Sequence, residues 1–338
     1  MSGLVAAREL VAAGVDVTVV DKGRSVGGRL ATRRIGDARL DHGAQFFTAR
    51  TPAFQRRVDD WIERDVVHIW NHGFGGALGD GSGATGSTGD GGGDAGDGDT
   101  GDAESTQTSG DGYPRYVGST GMNGLAKDLA VGLTVETSTM VFTLRQAADR
   151  EHRWQVVIDD GSHRDADAVI ITSPLPQSFA MLVDSGIGIE DTPFSTEYDR
   201  TIGLLVTLDG PAGIPEPGGV QDGDDMFSFI GDNQAKGVSD TPAVTFHANP
   251  EWSESHWHDD DAATLELLTD AASQWLGSAT IAERQLKKWR FATPRTTWDD
   301  PCWTTADGSI VLAGDAFAGP RVEGAHNSGL AAAHALLA

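Results

Sequence analysis

The chain is 338 residues long, and 50 acidic residues against 25 basic ones give it a formal net charge of −25. That balance excludes a nucleic-acid binder, which needs a basic footprint to neutralise phosphates, and the lack of any run of about 18 apolar residues excludes a membrane-spanning helix. The length predicts two domains, or one domain with a second inserted into it, and 39% hydrophobic residues suffice for a core.

Leu4–Ala13 predicts an amphipathic helix and Val15–Asp21 (VDVTVVD) a buried strand. A dinucleotide-binding fold runs from a first strand through a GxGxxG turn into a helix, then into a second strand that ends in an acid. The helix, the second strand and its terminal Asp21 are in place. Gly3 is positioned as the third glycine, with Asp21 close to the usual spacing of about 20 residues. The first strand and the first two glycines are missing. The natural protein is therefore expected to carry roughly ten further residues upstream, the length of a strand and turn, with Met1 an internal methionine. No basic segment leads into an apolar stretch as in a secretory leader, and the lone Cys302 cannot form an internal disulfide. Both fit a cytoplasmic location.

Phe54–Arg64 is predicted as a helix. Residues 73–112 are almost wholly Gly, Asp, Ser and Thr, too polar to offset the entropy of ordering, and are expected to form a disordered insert. Gly81-Ser82-Gly83-Ala84-Thr85-Gly86 matches GxGxxG there, but no strand precedes it and no apolar helix follows. Asp94, Asp97, Asp99 and Asp102 lack the spacing and closing Glu of a calcium loop. Beyond the insert come a helix at about Asn123–Val131, paired strands at Val135–Leu144 and Trp154–Asp159, and a short strand at Ala168–Thr172 ending in a Pro174/Pro176 corner. Thr201–Leu208, Phe227–Ile230 and Ala243–His247 suggest a second sheet, Ala262–Leu276 a helix, and Ile310–Ala313 a last strand before a small-residue helix from about Ala325. Acid-rich composition with few lysines (Lys22, Lys127, Lys236, Lys287, Lys288) is like that of proteins from high-salt cytoplasms, where the Debye length is about 3 Å. It predicts unfolding at low salt.

Several segments carry a family resemblance. Gly27-Gly28-Arg29 and the residues after it resemble the double-glycine motif of flavin amine oxidases: glycines allow close approach of backbone to cofactor, and an arginine can pair with a diphosphate. Asp41-His42-Gly43-Ala44-Gln45-Phe46-Phe47-Thr48-Ala49-Arg50 resembles the renalase-like branch of that superfamily specifically. So do the glycine-methionine turn at Tyr116–Asn123, the strand exit at Thr172–Gln177, His247–Ser253 and Trp289–Ala292. Gly314-Asp315 after a strand, followed by Gly319–Ala325 leading into a helix, completes the set.

The resemblance implies an α/β fold: a Rossmann-type FAD-binding domain (residues 1–50, 113–177 and 305–338) with an inserted α+β substrate domain (51–72 and 178–304). It implies non-covalent FAD held by Ser2, Gly3, Asp21, Lys22, Gly27, Gly28, Arg29, His42, Gly43, Ala44, Gln45, Gly314, Asp315, Arg321, Val322, Glu323 and Ala325. Asp315 would bind the ribityl chain, and the helix start after it would stabilise charge on the flavin. The implied reaction is oxidation of a hydride donor, isomeric dihydro-NAD(P), with O2 as acceptor. Gln45, His247 and Arg321 are the candidate catalytic residues. His247 either orients a substrate amide or is a hydrogen-bonded structural histidine; Arg321 and Glu323 either line the pocket or pair with each other. Cys302 is expected as a buried inert thiol. Two other readings stay open: an amine oxidase or desaturase on the same fold, with aromatics such as Phe46, Phe47, Phe227, Phe229, Trp289 and Trp303 flanking a substrate nitrogen or simply filling the core, and a non-catalytic paralogue that binds FAD poorly. No Ser-His-Asp, CxxC or HExxH pattern competes.

Overall fold

The computed structural model describes residues 1–74, 112–147, 153–188, 196–317 and 319–338. The phosphate-loop and calcium-loop look-alikes of the Gly/Asp-rich tract lie outside these residues. Phe74, assigned to that tract from sequence, belongs to the packed structure. Its ring lies 5.1 Å from Trp70, 5.2 Å from Phe46 and 5.6 Å from Phe229. The tract is flanked by Val67–Asn71 and Arg115–Gly118, which pair antiparallel, so it leaves and re-enters the fold at one place.

The fold is mixed α/β. The first helix, Ser2–Ala12, buries Leu4, Ala6, Ala7 and Leu10. It lies against the last helix, Arg321–Leu337, where a side chain on Gly329 would collide with the carbonyl of Ser2. Small residues thus set how close the two helices run. Beneath them are two separate parallel pairs. Thr18–Val20 runs beside Thr134–Glu136. Val169–Ile171 runs beside Ile310–Leu312, which also pairs antiparallel with Trp303–Thr304. Val17, which leads into the first pair, and Ile170 of the second both pack on the Ala6, Leu10, Ala333 cluster. Among the described residues neither Thr18–Val20 nor Val169–Ile171 has a partner on its other edge.

The strand expected over Val135–Leu144 is two strands. The chain turns through Ser138 (φ 54), where the Ser138 and Thr139 amides donate to the carbonyls of Gly23 and Asp21. Val141–Gln146 then joins Trp154–Ile158 and His163–Ala166 in another sheet. The Pro174/Pro176 corner is the start of an unanticipated helix, Leu175–Asp184. Proline suits the first helical turn, where its missing N–H has no intrahelical partner to lose.

The second sheet has five strands, all antiparallel, in the spatial order Gly219–Gln221, Phe227–Asp232, Ala243–Ala248, Tyr198–Leu208, Ile281–Pro294. One face buries Leu204, Val206, Phe227, Ile230 and Phe246 against Leu268, Ala272 and Trp275. On the other face Leu205 and Ala243 meet Ile35, Ala38 and Leu40, from the hairpin Thr32–Ile35/Ala38–Asp41. That contact ties the second sheet to the chain segment that follows Gly27-Gly28. No helix among the described residues is long and apolar enough to cross a membrane.

Candidate cofactor and substrate site

A groove of ≈ 2670 Å³ runs between the two parallel pairs and on to the five-stranded sheet. The first helix opens onto it at Met1, Ser2 and Gly3, with no side-chain cap and no acid in its first turn. The last helix opens onto it at Arg321, Val322 and Ala325, again without a side-chain cap. Two uncapped helix starts on one groove present unpaired N–H groups and the positive ends of two helix dipoles, which favours an anionic ligand. Asp21, Lys22, Gly27, Gly28, Arg29, Gly314 and Asp315 line the same groove, so both ends of the chain meet across it. Gly27 (φ 119) and Gly28 (φ 53) take left-handed conformations that let the chain turn there. Arg29 and Asp315, expected to contact different parts of one ligand, grip each other in a bidentate pair at 2.6 and 2.7 Å. A guanidinium and a carboxylate facing each other in a half-buried site adopt this geometry.

The segment Asp41–Gln45 crosses the far end of the groove, and two side chains absent from the predicted site hold it. Asp41, fully buried, accepts from the Thr32 hydroxyl (2.6 Å), the Met122 amide (2.8 Å) and the Lys236 ammonium (3.1 Å). Lys236 is itself fully buried and also donates to Gln45 Oε1 at 3.2 Å. The Gln45 amide nitrogen donates to the carbonyls of Asp41 and Gly43. Gln45, expected to touch flavin or substrate, does line the groove, with its side chain bracing its own loop and lying 3.5 Å from His247 Nε2. The Gly121-Met122 turn is explained here too: a side chain on Gly121 would crowd Thr32 Oγ1 (2.5 Å) and Asp41 Oδ1 (2.9 Å).

His42, Gly43 and Ala44 face the groove. The His42 carbonyl accepts from Trp289 Nε1 (2.6 Å) and His247 Nε2 (3.2 Å), and its ring stacks on Trp289 at 5.3 Å. In the tautomer whose Nε2–H donates to the His42 carbonyl, His247 carries its lone pair on Nδ1. The buried Nδ1 of His42 has no hydrogen-bond partner, an atom with capacity for a ligand.

Residues 1–61 match the profile of an NAD(P)-binding Rossmann-like domain, and residues 99–337 match that of flavin containing amine oxidoreductases. The chain belongs to the flavin containing amine oxidoreductase family. Solved structures share the fold at low identity. Putrescine oxidase bound to putrescine superposes with a TM-score of 0.61 at 15% identity, over 99% of this chain and 96% of that one. A Pyrococcus furiosus protein gives 0.59 at 12% (100% and 95%), and a Methanosarcina mazei oxidoreductase 0.58 at 12% (98% and 97%). The protein is an FAD-dependent oxidoreductase. The residues fit that cofactor: two uncapped helix starts suit a diphosphate, and the orphaned His42 Nδ1 awaits a polar neighbour.

Other expected residues lie elsewhere. Glu323 is not in the groove wall and does not pair with Arg321. Its carboxylate accepts from the backbone amides of Arg50 and Thr51 and from the Thr51 hydroxyl, fixing the last helix to the chain after the Asp41–Gln45 segment. Cys302 is half-buried, not buried, and lies outside the groove wall; burial and Asp300 raise its thiol pKa. Phe47, Phe227 and Trp303 pack in hydrophobic clusters. Phe46 and Phe229 touch each other, 5.8 Å between centroids.

Burial drives the His42 pKa down to about 3, with Lys287, His247 and Arg33 adding to the effect. Burial also lowers His247 to about 4, partly opposed by the His42 carbonyl. The unfolded chain therefore binds more protons than the folded one from the ordinary histidine value of 6.5 downward. Stability is expected to fall as pH drops from 6.5 toward 5, by up to about 1.4 kcal/mol per pH unit for each such histidine. Urea midpoints across that window check this, and His247→Asn should flatten the slope. A pH-independent midpoint contradicts it.

Proposed function

We propose that this chain is a renalase-like oxidase that takes hydride from a dihydronicotinamide such as isomeric dihydro-NAD(P), releasing the oxidised nicotinamide and reducing O2 to hydrogen peroxide. The chemistry that bound FAD supplies is acceptance of the hydride and delivery of two electrons to O2. One observation carries the reading. The wall beyond Gly43 is Trp289, His42, His247 and Phe229, two aromatic rings and two imidazoles held neutral, and among the described residues no buried carboxylate there is free for an ammonium. Asp41 is saturated by Lys236, Thr32 and Met122, and the Asp222 carboxylate, which also lines the groove, stands in solvent and not in the closed wall. An amine must lose a proton before it can give up hydride, and histidines titrating near 3 and 4 are weak bases. A dihydropyridine ring gives hydride without that step and stacks on such a wall. His247 Nδ1 is the acceptor for the carboxamide N–H.

The family's description favours amine oxidation as the second reading. The contact between Phe46 and Phe229 leaves no slot between them for a substrate nitrogen. Anaerobic mixing of the FAD-loaded protein with borohydride-generated isomers of dihydro-NAD is expected to bleach the flavin, and mixing with primary amines is not. The opposite pattern overturns the proposal.

The same reading keeps FAD non-covalent in a cytoplasmic, salt-adapted protein, with the two-domain division drawn from sequence.

A further inference from the structure

Several cations of this acidic chain sit beside carboxylates, as Arg64 does with Asp128, Arg284 with Glu266 and Lys288 with Asp261. Lys287 and Arg33 do not. Among the described residues neither has an ion-pair partner or a side-chain hydrogen bond, although both line the groove. Lys287 lies 5.5 Å above the Trp289 ring, and Trp289 in turn stacks on His42. Arg33 approaches from the Thr32–Ile35 strand. The two share one wall: the Ala31 carbonyl, two residues before Arg33, accepts from the His42 amide, and Trp289, two residues after Lys287, stacks on the His42 ring; in keeping with this, Arg33 lowers the Lys287 pKa, after burial, and both lower that of His42. Like charges brought together without a counterion on a concave wall form a site for an anion.

We propose that Lys287 and Arg33 form an anion subsite at the mouth of the groove that takes a phosphate of the nucleotide substrate, so that the enzyme selects phosphorylated dihydronicotinamides over uncharged or cationic donors. The inference rests on the dihydronicotinamide reading and deepens it. The geometry assigns the pair to substrate and not to the FAD diphosphate, because the uncapped helix starts at Ser2 and Arg321 suit that diphosphate, while Lys287 and Arg33 lie on the His42 and Trp289 wall. A protonated amine is repelled at the same place.

The test uses the FAD-loaded full chain, titrated with nicotinamide mononucleotide and with nicotinamide riboside at the lowest KCl concentration that keeps it folded. Binding is read from the perturbed flavin spectrum and needs no turnover. The mononucleotide is expected to bind about tenfold more tightly than the riboside, the gain of one charge-assisted contact. Lys287→Met should erase the difference, Arg33→Met should reduce it, and added KCl should shrink it in the wild type. FAD retention should not change in either variant. Equal binding of the two ligands, binding of neither, or loss of FAD from Lys287→Met in place of lost discrimination overturns the subsite. Failure of the functional reading shows differently, as no bleaching by the dihydro isomers whatever the ligand preference.

Discussion

Replacing Lys236 with methionine is expected to lower the unfolding free energy by about 3–5 kcal/mol, the range for stripping one partner from a buried ion pair. The lysine has no exposed side-chain surface and neither does Asp41. Methionine fills nearly the same volume, so the loss is electrostatic: an Asp41 carboxylate left with only the Thr32 hydroxyl and Met122 amide, and a Gln45 Oε1 left without its donor. Asp41→Asn should also destabilise, because it strands the ammonium among Gln45, Trp70 and apolar neighbours. Asn can still accept from Thr32 and Met122. The double variant removes both charges at once and should be less destabilised than the sum of the two single variants, with a coupling of at least about 1 kcal/mol. Urea unfolding of the four proteins in one high-salt buffer measures this. Simple additivity, or a loss below 1 kcal/mol for Lys236→Met, sinks the idea that this pair holds the segment together.

The same pair shows where sequence reading stopped. The Gly27-Gly28-Arg29, Asp41–Gln45 and Gly314-Asp315 segments were legible because each is a local string whose residue types answer a local demand: left-handed turns, close backbone approach, a helix start. Asp41 stood inside a recognised string, yet its role depends on Lys236, 195 positions away. Nothing near Lys236 marks it as buried, beyond the scarcity of lysine in the chain. Glu323 was misjudged for a related reason. It follows Arg321 and looks like a pocket residue, but its partners lie 272 and 273 positions away. Ile281–Pro294 was missed because it is an edge strand, mostly half-exposed, and its KKWR run shows no alternation of apolar and polar residues. The single strand expected over Val135–Leu144 failed because two adjacent strand-like segments belong to different sheets. Only the crossing at Ser138 separates them.

Gly43→Val is expected to abolish retention of flavin. Gly43 sits where the segments Arg29–Ala31 and His42–Ala44 lie edge to edge: the Ala44 amide donates to the Arg29 carbonyl at 2.8 Å and the His42 amide to the Ala31 carbonyl at 3.0 Å. A side chain at Gly43 would run into the carbonyl oxygen of Arg29 and stand 2.8 Å from its carbon. These are backbone atoms, so no rotamer change relieves the clash. The two segments must separate. Arg29 then moves relative to Asp315, and His42 relative to Trp289, at both ends of the groove at once. Overpacking of this kind costs typically about 1–3 kcal/mol in stability. The same displacement, felt by the bound cofactor, weakens its affinity by about ten- to a hundredfold. After desalting, the variant should lack the absorbance at about 450 nm that marks oxidised flavin, while its far-ultraviolet dichroism stays near wild type. Gly36→Asn is the control. Gly36 is also left-handed (φ 56), has open space around its would-be side chain and lies outside the groove wall, so it should keep its flavin with a small loss of stability. If Gly43→Val keeps flavin as well as Gly36→Asn does, the Asp41–Gln45 segment does not run beside the cofactor. The placement of His42, His247 and Trp289 at the reacting end would then fail with it.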